Sequence, residues 1–441
     1  MTPVLGLNAL SQLPAAVVRP DYDFAKLGVG ILHLGLGAFH RAHQAIFTED
    51  AIRAAGGDWG IVGTAFRHSA VPDALRVQNH LYTVESLGEI PAYRVTGVLR
   101  SSLTAATQAP QLRSRFTEPQ IHIVTLTITE KGYCLDHNGD LDLSNADIAH
   151  DLAHLAAPIT AIGWLALGLA ERYRAGANPM TVISCDNLGE NGVKLKRAVT
   201  AFMARTHPDA LPWLRSTVSF PQSVVDCIVP ASSEVSKRRV SERIGAIDAA
   251  AVQREPYGQW VIEDDFAGPR PPWDRAGVEI VADVGDFARL KLHVLNACHS
   301  ALAYLGMARG YCFVREAVAD LELARFLDEM VECEIGPALS PLAVDEYWCL
   351  VRGRFQNARI DHRLSQIAED GQQKLSQRVF PLMIANLRTD APIRRLAQVV
   401  RAWLDFKQLD IKAALDDASL IPHSIATYPA ARAAILSSGV T

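Results

Sequence analysis

Between residue 29 and about residue 285 the chain alternates short β-branched apolar runs with longer stretches of helical period. Val29–Leu34, Gly60–Phe66, Ile121–Thr127 and Met180–Cys185 carry apolar residues on both faces, the pattern of strands buried on each side. Such strands alternating with helices predict a parallel sheet covered by helices. The longest apolar run, Leu155 to Ala170, contains Pro158 and Thr160 and ends at Glu171. It falls short of the roughly 20 residues that span a bilayer and reads as a buried helix. The strongest Pro/Gly punctuation is GPRPPWDRAG at residues 268–277, after which the period changes. Phe287, Leu290, Val294, Cys298, Ala301, Leu302 and Leu305 recur at helical spacing, and the segments from Glu316, Gln373 and Ile393 keep that character. The predicted fold is α/β: a parallel-sheet domain over residues 1–283, then a mostly α-helical domain over residues 284–441.

The stretch VGILHLGLGAFHRAHQAIF places Gly35 and Gly37 between an apolar run and a helical pattern. Two glycines there allow a tight turn and close backbone approach to a pyrophosphate, near a helix expected to begin around Arg41. Gly35, Leu36, Gly37, Ala38 and Phe39 are the candidate cofactor loop. His40 takes the third glycine position of GxGxxG, so a dinucleotide site and an ordinary strand-to-helix turn both fit. After Phe66, where an acid would meet the adenosine ribose of NAD, stands Arg67-His68-Ser69. Arg67 suits a 2′-phosphate or stacking on adenine, so NAD and NADP both stay open.

The stretch KLHVLNACHSALAYLG offers Lys291, Asn296 and His299. On a regular helix the three point within roughly 140° of one another and span about 12 Å of axis. Polar side chains on an otherwise apolar helix need partners or a cleft; singly, each also reads as a snorkelling lysine, a satisfied amide or a core histidine. ISCDNLGENG sets Asp186 and Asn187 after a predicted strand, where ligands collect in parallel sheets and where Asx turns are also common. FPQSVVDCIVP puts Asp226 in an apolar run, as a structural ion pair or as an orienting partner for a catalytic cation.

Composition narrows the class. The 441 residues carry 43 Lys+Arg against 48 Asp+Glu, a net charge of −5, with no basic block, which lacks the footprint of a nucleic-acid binder. Seven cysteines without a CxxC pair suggest reduced thiols in a cytoplasmic protein and no tetrahedral metal site. The N-terminus shows no basic start followed by an apolar run, so no leader peptide is expected. Small-molecule chemistry is the better prior, without nucleic-acid or membrane partners, in a monomer or small homo-oligomer.

Seven stretches, in order, carry a resemblance: HLGLGAFHRAHQA, DWGIVG, LTITEKGYC, ISCDNLGENG, FPQSVVDCIVP, KLHVLNACHSALAYLG and DHRLSQIAEDGQQKLSQR. They resemble the polyol-specific long-chain dehydrogenases, the family of mannitol 2-dehydrogenase and fructuronate reductase (D-mannonate oxidoreductase). The resemblance implies a metal-independent oxidoreductase using NAD, with NADP possible, in which a Rossmann-type domain precedes a helical substrate and catalytic domain. It implies that Lys291 is the acid/base and that Asn296, His299, Asn187 and Asp226 match family motif positions. The chain is shorter than usual in the family, mainly after residue 400, and Ala288 replaces a glutamate that many members carry three residues before the lysine.

Alcohol oxidation then requires Lys291 as a neutral amine, with Asn187 and Asn296 stabilising the alkoxide and His299 orienting the substrate oxygen. The pocket is expected between the two domains, with Arg359, His362 and Lys374 at the far end of the substrate. Those cations favour an aldonate, D-mannonate to D-fructuronate, over a neutral hexitol such as D-mannitol to D-fructose, although they equally fit surface pairs. A nucleotide sensor without turnover is the remote alternative, and retention of the lysine argues against it.

Overall fold

A computed structural model describes residues 2–438. The chain forms two compact units that divide between Val284 and Gly285.

The first unit is built on a six-stranded, all-parallel sheet: β1 (Val29–Leu34), β2 (Gly60–Ala65), β3 (Leu99–Thr104), β4 (Ile123–Leu126), β5 (Met180–Ser184) and β6 (Val218–Ser219). Their order across the sheet is β3-β2-β1-β4-β5-β6, which is the doubly wound dinucleotide-binding order. Alternation within each strand serves two cores. Leu32, Leu34, Val62, Val124, Leu126 and Val182 face a layer containing Phe116, Trp164, Leu165 and Phe202. Ile31, Ile61, Leu99, Ile123 and Ile183 face the opposite layer, with Ala45, Ile52, Trp260 and Trp273. Burial on both faces is why these strands read as continuous apolar runs. The long apolar run becomes the helix Ala161–Arg174, almost wholly buried.

Two smaller sheets flank the main one. Tyr82–Ser86 pairs antiparallel with Ala92–Thr96 and parallel with Val252–Arg254. Ser223–Asp226 pairs antiparallel with Gln259–Glu263, which is joined in parallel by Glu279–Val281. The Pro/Gly-rich 268–277 stretch lies inside this unit: Trp273 is buried, its indole donating to Thr48 Oγ1 at 3.1 Å.

Among its described residues the second unit has no strand of two or more residues. Its centre is a helix continuous from Gly285 to Ala308, in which α-helical Gly285–Leu290 passes through a π turn, Lys291–Leu295, into α-helical Asn296–Ala308. Every residue from Asn296 to Gly306 is buried, as expected for a helix with small and apolar side chains all round. A second π turn, Val331–Ile335, lies against the first. Its Glu334 carboxylate accepts the amides of Arg395 (2.7 Å) and Leu396 (2.9 Å), capping the helix Arg394–Phe406.

Candidate active site

In the first unit the chain order reverses at β1: β2 and β3 lie to one side and β4 to β6 to the other. Such a switch point opens a crevice at the carboxyl ends of the strands. Gly35 sits there with φ +97°, and a β-carbon on it would run into the Thr127 carbonyl. Gly37 differs: a β-carbon would meet nothing nearer than the Gly35 carbonyl at 3.7 Å. The fold therefore requires a glycine at position 35, while at position 37 it leaves room for a β-carbon. The following helix, Ala38–Ala42, starts at Ala38 rather than around Arg41, because Gly37 is extended (ψ −174°) and caps it. It is only five residues long and breaks at His43 before the helix Gln44–Ala55. Arg41 is a wall residue; its buried guanidinium donates to the Gly37 carbonyl (3.1 Å) and to the Ala250 carbonyl.

His40, in the third glycine position, stacks on His33 of β1 with ring centroids 3.4 Å apart and planes 11° from parallel. Two imidazoles thus fill the space that a glycine would close by backbone packing. Burial pushes both rings far toward the neutral form, His33 down to about 3.

The candidate loop residues Leu36, Ala38 and Phe39 follow Gly35 directly, with Leu36 N bonded to the Thr64 carbonyl at 3.0 Å. Arg67 lies just past the end of β2 and pairs with Asp147 at 2.9 Å, both side chains exposed.

At the end of β5, Asp186, which the sequence reads either as a ligand position or as an Asx-turn residue, is a structural anchor. Its carboxylate accepts the amides of Ile128 and Thr129, each at 2.9 Å, and the Tyr133 hydroxyl at 2.7 Å. Those bonds hold Thr129 at φ +65°, an unusual conformation for a β-branched residue. Burial still raises the Asp186 pKa. Asn187 follows it at an exposed position. Asn191 ties this segment to the next: its side chain donates to the Ser223 carbonyl (2.8 Å) and accepts from the Ser223 amide (3.0 Å). The strand Ser223–Asp226 ends in the buried Asp226.

In the second unit the π turn changes the geometry expected of a regular helix. The Asn296 amide bonds to the Lys291 carbonyl, five residues back, so the two lie one above the other rather than about 140° apart. His299 stands one turn on from Asn296, and all three residues are buried. The His299 ring packs on Phe355 (4.4 Å) and edge-on to His362 (5.2 Å). Burial, then His362, Arg378, Arg354 and Lys374, holds His299 well below the ordinary imidazole range. His362 is lowered in turn by burial and by Lys374. Lys374 donates to the Ile367 carbonyl at 3.0 Å, and Arg378 to Ser300 Oγ at 3.2 Å.

The structure gathers His362 and Lys374 around His299, whereas the sequence reading set them at the opposite end of the substrate from the oxygen that His299 would orient. Arg359 is exposed and is not among the charges acting most strongly on that ring. Arg354 and Arg378, which sequence reasoning missed, take that place; the four-residue spacing of Lys374 and Arg378 on one helix was the available signal. No described helix is long and apolar enough to cross a membrane, and no group of three or more His, Cys, Asp or Glu among the described residues is arranged to hold a metal ion.

Comparison with known proteins places these elements. Residues 29–275 match the mannitol dehydrogenase Rossmann domain and residues 283–416 the mannitol dehydrogenase C-terminal domain. D-mannonate oxidoreductase of Escherichia coli is 38% identical over 407 residues, covering 90% of this chain and 83% of that protein. Mannitol 2-dehydrogenase of Phaeosphaeria nodorum is 35% identical over 415 residues, covering 91% of this chain and 73% of its own length. The structure of Pseudomonas fluorescens mannitol 2-dehydrogenase, a ternary complex with NAD and D-mannitol, superposes with a TM-score of 0.88 at 32% identity, covering 98% of this chain and 95% of that one. The chain belongs to the mannitol dehydrogenase family and carries both of its domains.

Proposed function

We propose that the protein is an NAD-dependent, metal-independent oxidoreductase that interconverts a sugar-derived secondary alcohol and its ketone, of the D-mannonate/D-fructuronate type. The Gly35–Phe39 loop at the β1 switch point suits a dinucleotide: Gly37 leaves its β-carbon position open to an approaching pyrophosphate. Arg67, where the ribose acid of a strict NAD enzyme would stand, is the residue through which NADP would be admitted. NAD bound at that loop supplies the hydride acceptor. Lys291 takes the hydroxyl proton during oxidation and returns it during reduction. Asn187 and Asn296 stabilise the alkoxide with amide hydrogen bonds, work that needs no metal ion. His299, kept neutral, orients the reacting oxygen, and Asp226 contributes to substrate binding.

The observation that carries the substrate class is the set of charges around His299. Those that act on it most strongly, His362, Arg378, Arg354 and Lys374, are all basic. A gathering of basic side chains, Arg354 buried and the others half-buried, favours an anionic ligand, and an aldonate carboxylate supplies it. The mannitol complex of the Pseudomonas relative supports the second reading, a mannitol 2-dehydrogenase. Following absorbance at 340 nm with NADH and NADPH against fructuronate, tagaturonate, fructose and xylulose separates the two. Turnover of fructuronate well above fructose is expected; the reverse order assigns the protein to the hexitol dehydrogenases.

A further inference from the structure

His33 lies in the middle of the sheet, on β1, with no solvent exposure. Its Nδ1 is 2.8 Å from Thr125 Oγ1, and its Nε2 is 3.1 Å from the Gly35 carbonyl and 3.0 Å from Thr127 Oγ1. A carbonyl can only accept, so Nε2 carries the proton, and Nδ1 accepts from the Thr125 hydroxyl. The Thr127 hydroxyl donates to the same Gly35 carbonyl at 2.8 Å. This carbonyl thus has three partners, the His33 ring, the Thr127 hydroxyl and the Gly37 amide at 2.6 Å, while the Gly35 amide is held by the Thr64 carbonyl at 2.8 Å. The His40 ring stacks on one face of His33, 3.4 Å between centroids. An apolar side chain of similar size would fill the same space but would take the ring's donor away from the half-buried Gly35 carbonyl.

We propose that His33 is a positioning residue for the coenzyme loop. Pinned by Thr125 and stacked on His40, it helps fix the direction of the Gly35 peptide and hence the surface that Gly35–Gly37 presents to a pyrophosphate. The inference rests on reading that loop as the dinucleotide site. Gly35 admits no side chain and sits in a conformation that glycine enters freely, so the His33 ring adds a side-chain constraint to the backbone bonds from Thr64 and Gly37 that hold its peptide. Buried networks of satisfied hydrogen bonds supply that kind of rigidity.

The test uses the full-length protein, with NADH binding followed by fluorescence titration alongside steady-state kinetics and thermal melting. Thr125→Val and His33→Asn are expected to raise both the Kd and the KM for NADH by about tenfold, the equivalent of one hydrogen bond. The kcat at saturating NADH should stay near the wild-type value while the melting temperature falls by a few degrees as the buried network loses a bond, and Thr125→Ser should restore both affinity and melting temperature. NADH affinity unchanged in folded Thr125→Val overturns the proposal, whether or not His33→Asn folds, because that variant removes the donor that sets the tautomer. Gly37→Val separates the two levels of argument. If it abolishes NADH binding while the Thr125 and His33 variants bind normally, only the positioning role falls; if all three bind normally, the coenzyme lies elsewhere.

Discussion

The backbone amide of Asn296 donates to the carbonyl of Lys291, five positions earlier, so a single π turn aligns the lysine with the asparagine. Single-turn π segments inside α-helices are uncommon and recur at functional sites. Inserting an alanine after Leu292 would separate the two residues by six positions and turn Lys291 about 100° away from Asn296. The insertion is expected to lower kcat by about a hundredfold or more, the usual cost of a misplaced catalytic group, while NADH affinity and far-UV circular dichroism hold. Lys291→Ala sets the floor for this series, losing several powers of ten in both directions. An insertion variant with wild-type kcat would make the alignment of the two residues incidental.

The two loop glycines should respond oppositely. Gly35→Ala forces a β-carbon against the Thr127 carbonyl in a backbone region that L residues avoid, and should lower the melting temperature. Gly37→Val has room within the chain and should melt like the wild type while its KM for NADH rises steeply. If Gly37→Val melts early and still binds NADH, the loop has been assigned the wrong ligand.

How much of this was legible in the sequence depends on where each signal lives. The strand Val29–Leu34 could be read to its ends because both faces are buried, and its apolar run has no competing explanation. The pair Tyr82–Ser86 and Ala92–Thr96 was not, since Thr83, Glu85 and Arg94 break the apolar pattern and find their partners only in the folded unit. Lys291, Asn296 and His299 stood out together as polar residues on an apolar helix. The π turn that aligns the first two left no local mark, because the extra residue is accommodated by packing rather than by a Gly or Pro. Arg354 and Arg378 reach His299 from separate helices, a convergence that exists only in three dimensions.

Buried histidines tie stability to pH. His33, His40 and His299 all have pKa values lowered mainly by burial. The unfolded chain takes up protons near pH 6.5 that the folded chain refuses, so their contribution is present above that pH and is lost as pH falls toward the folded values. Between pH 7.5 and 5.5 each buried ring should cost about 1.4 kcal/mol. The expected result is a melting temperature lower by several degrees at pH 5.5 than at 7.5. A flat profile across that window would mean that these rings bind protons in the folded state.

The basic cluster around His299 makes the sharpest prediction about substrate. Lys374 is half-buried and acts on both His299 and His362, so if a carboxylate sits among these groups Lys374 is its ion partner. Lys374→Gln keeps a donor and removes the charge. Against a carboxylate the loss should be about 2–5 kcal/mol, the range for one side of a buried charged hydrogen bond. Against a hydroxymethyl group it should be nearer 1 kcal/mol, since only a neutral hydrogen bond is exchanged. The kcat/KM of Lys374→Gln should therefore fall roughly thirtyfold or more on fructuronate and only severalfold on fructose. Arg359→Ala is the matched comparison: its side chain is exposed, where charge pairing contributes little, and it should change both substrates slightly and equally. If Lys374→Gln also gives equal, small losses on both substrates, the cluster does not hold a carboxylate and the hexitol reading takes its place.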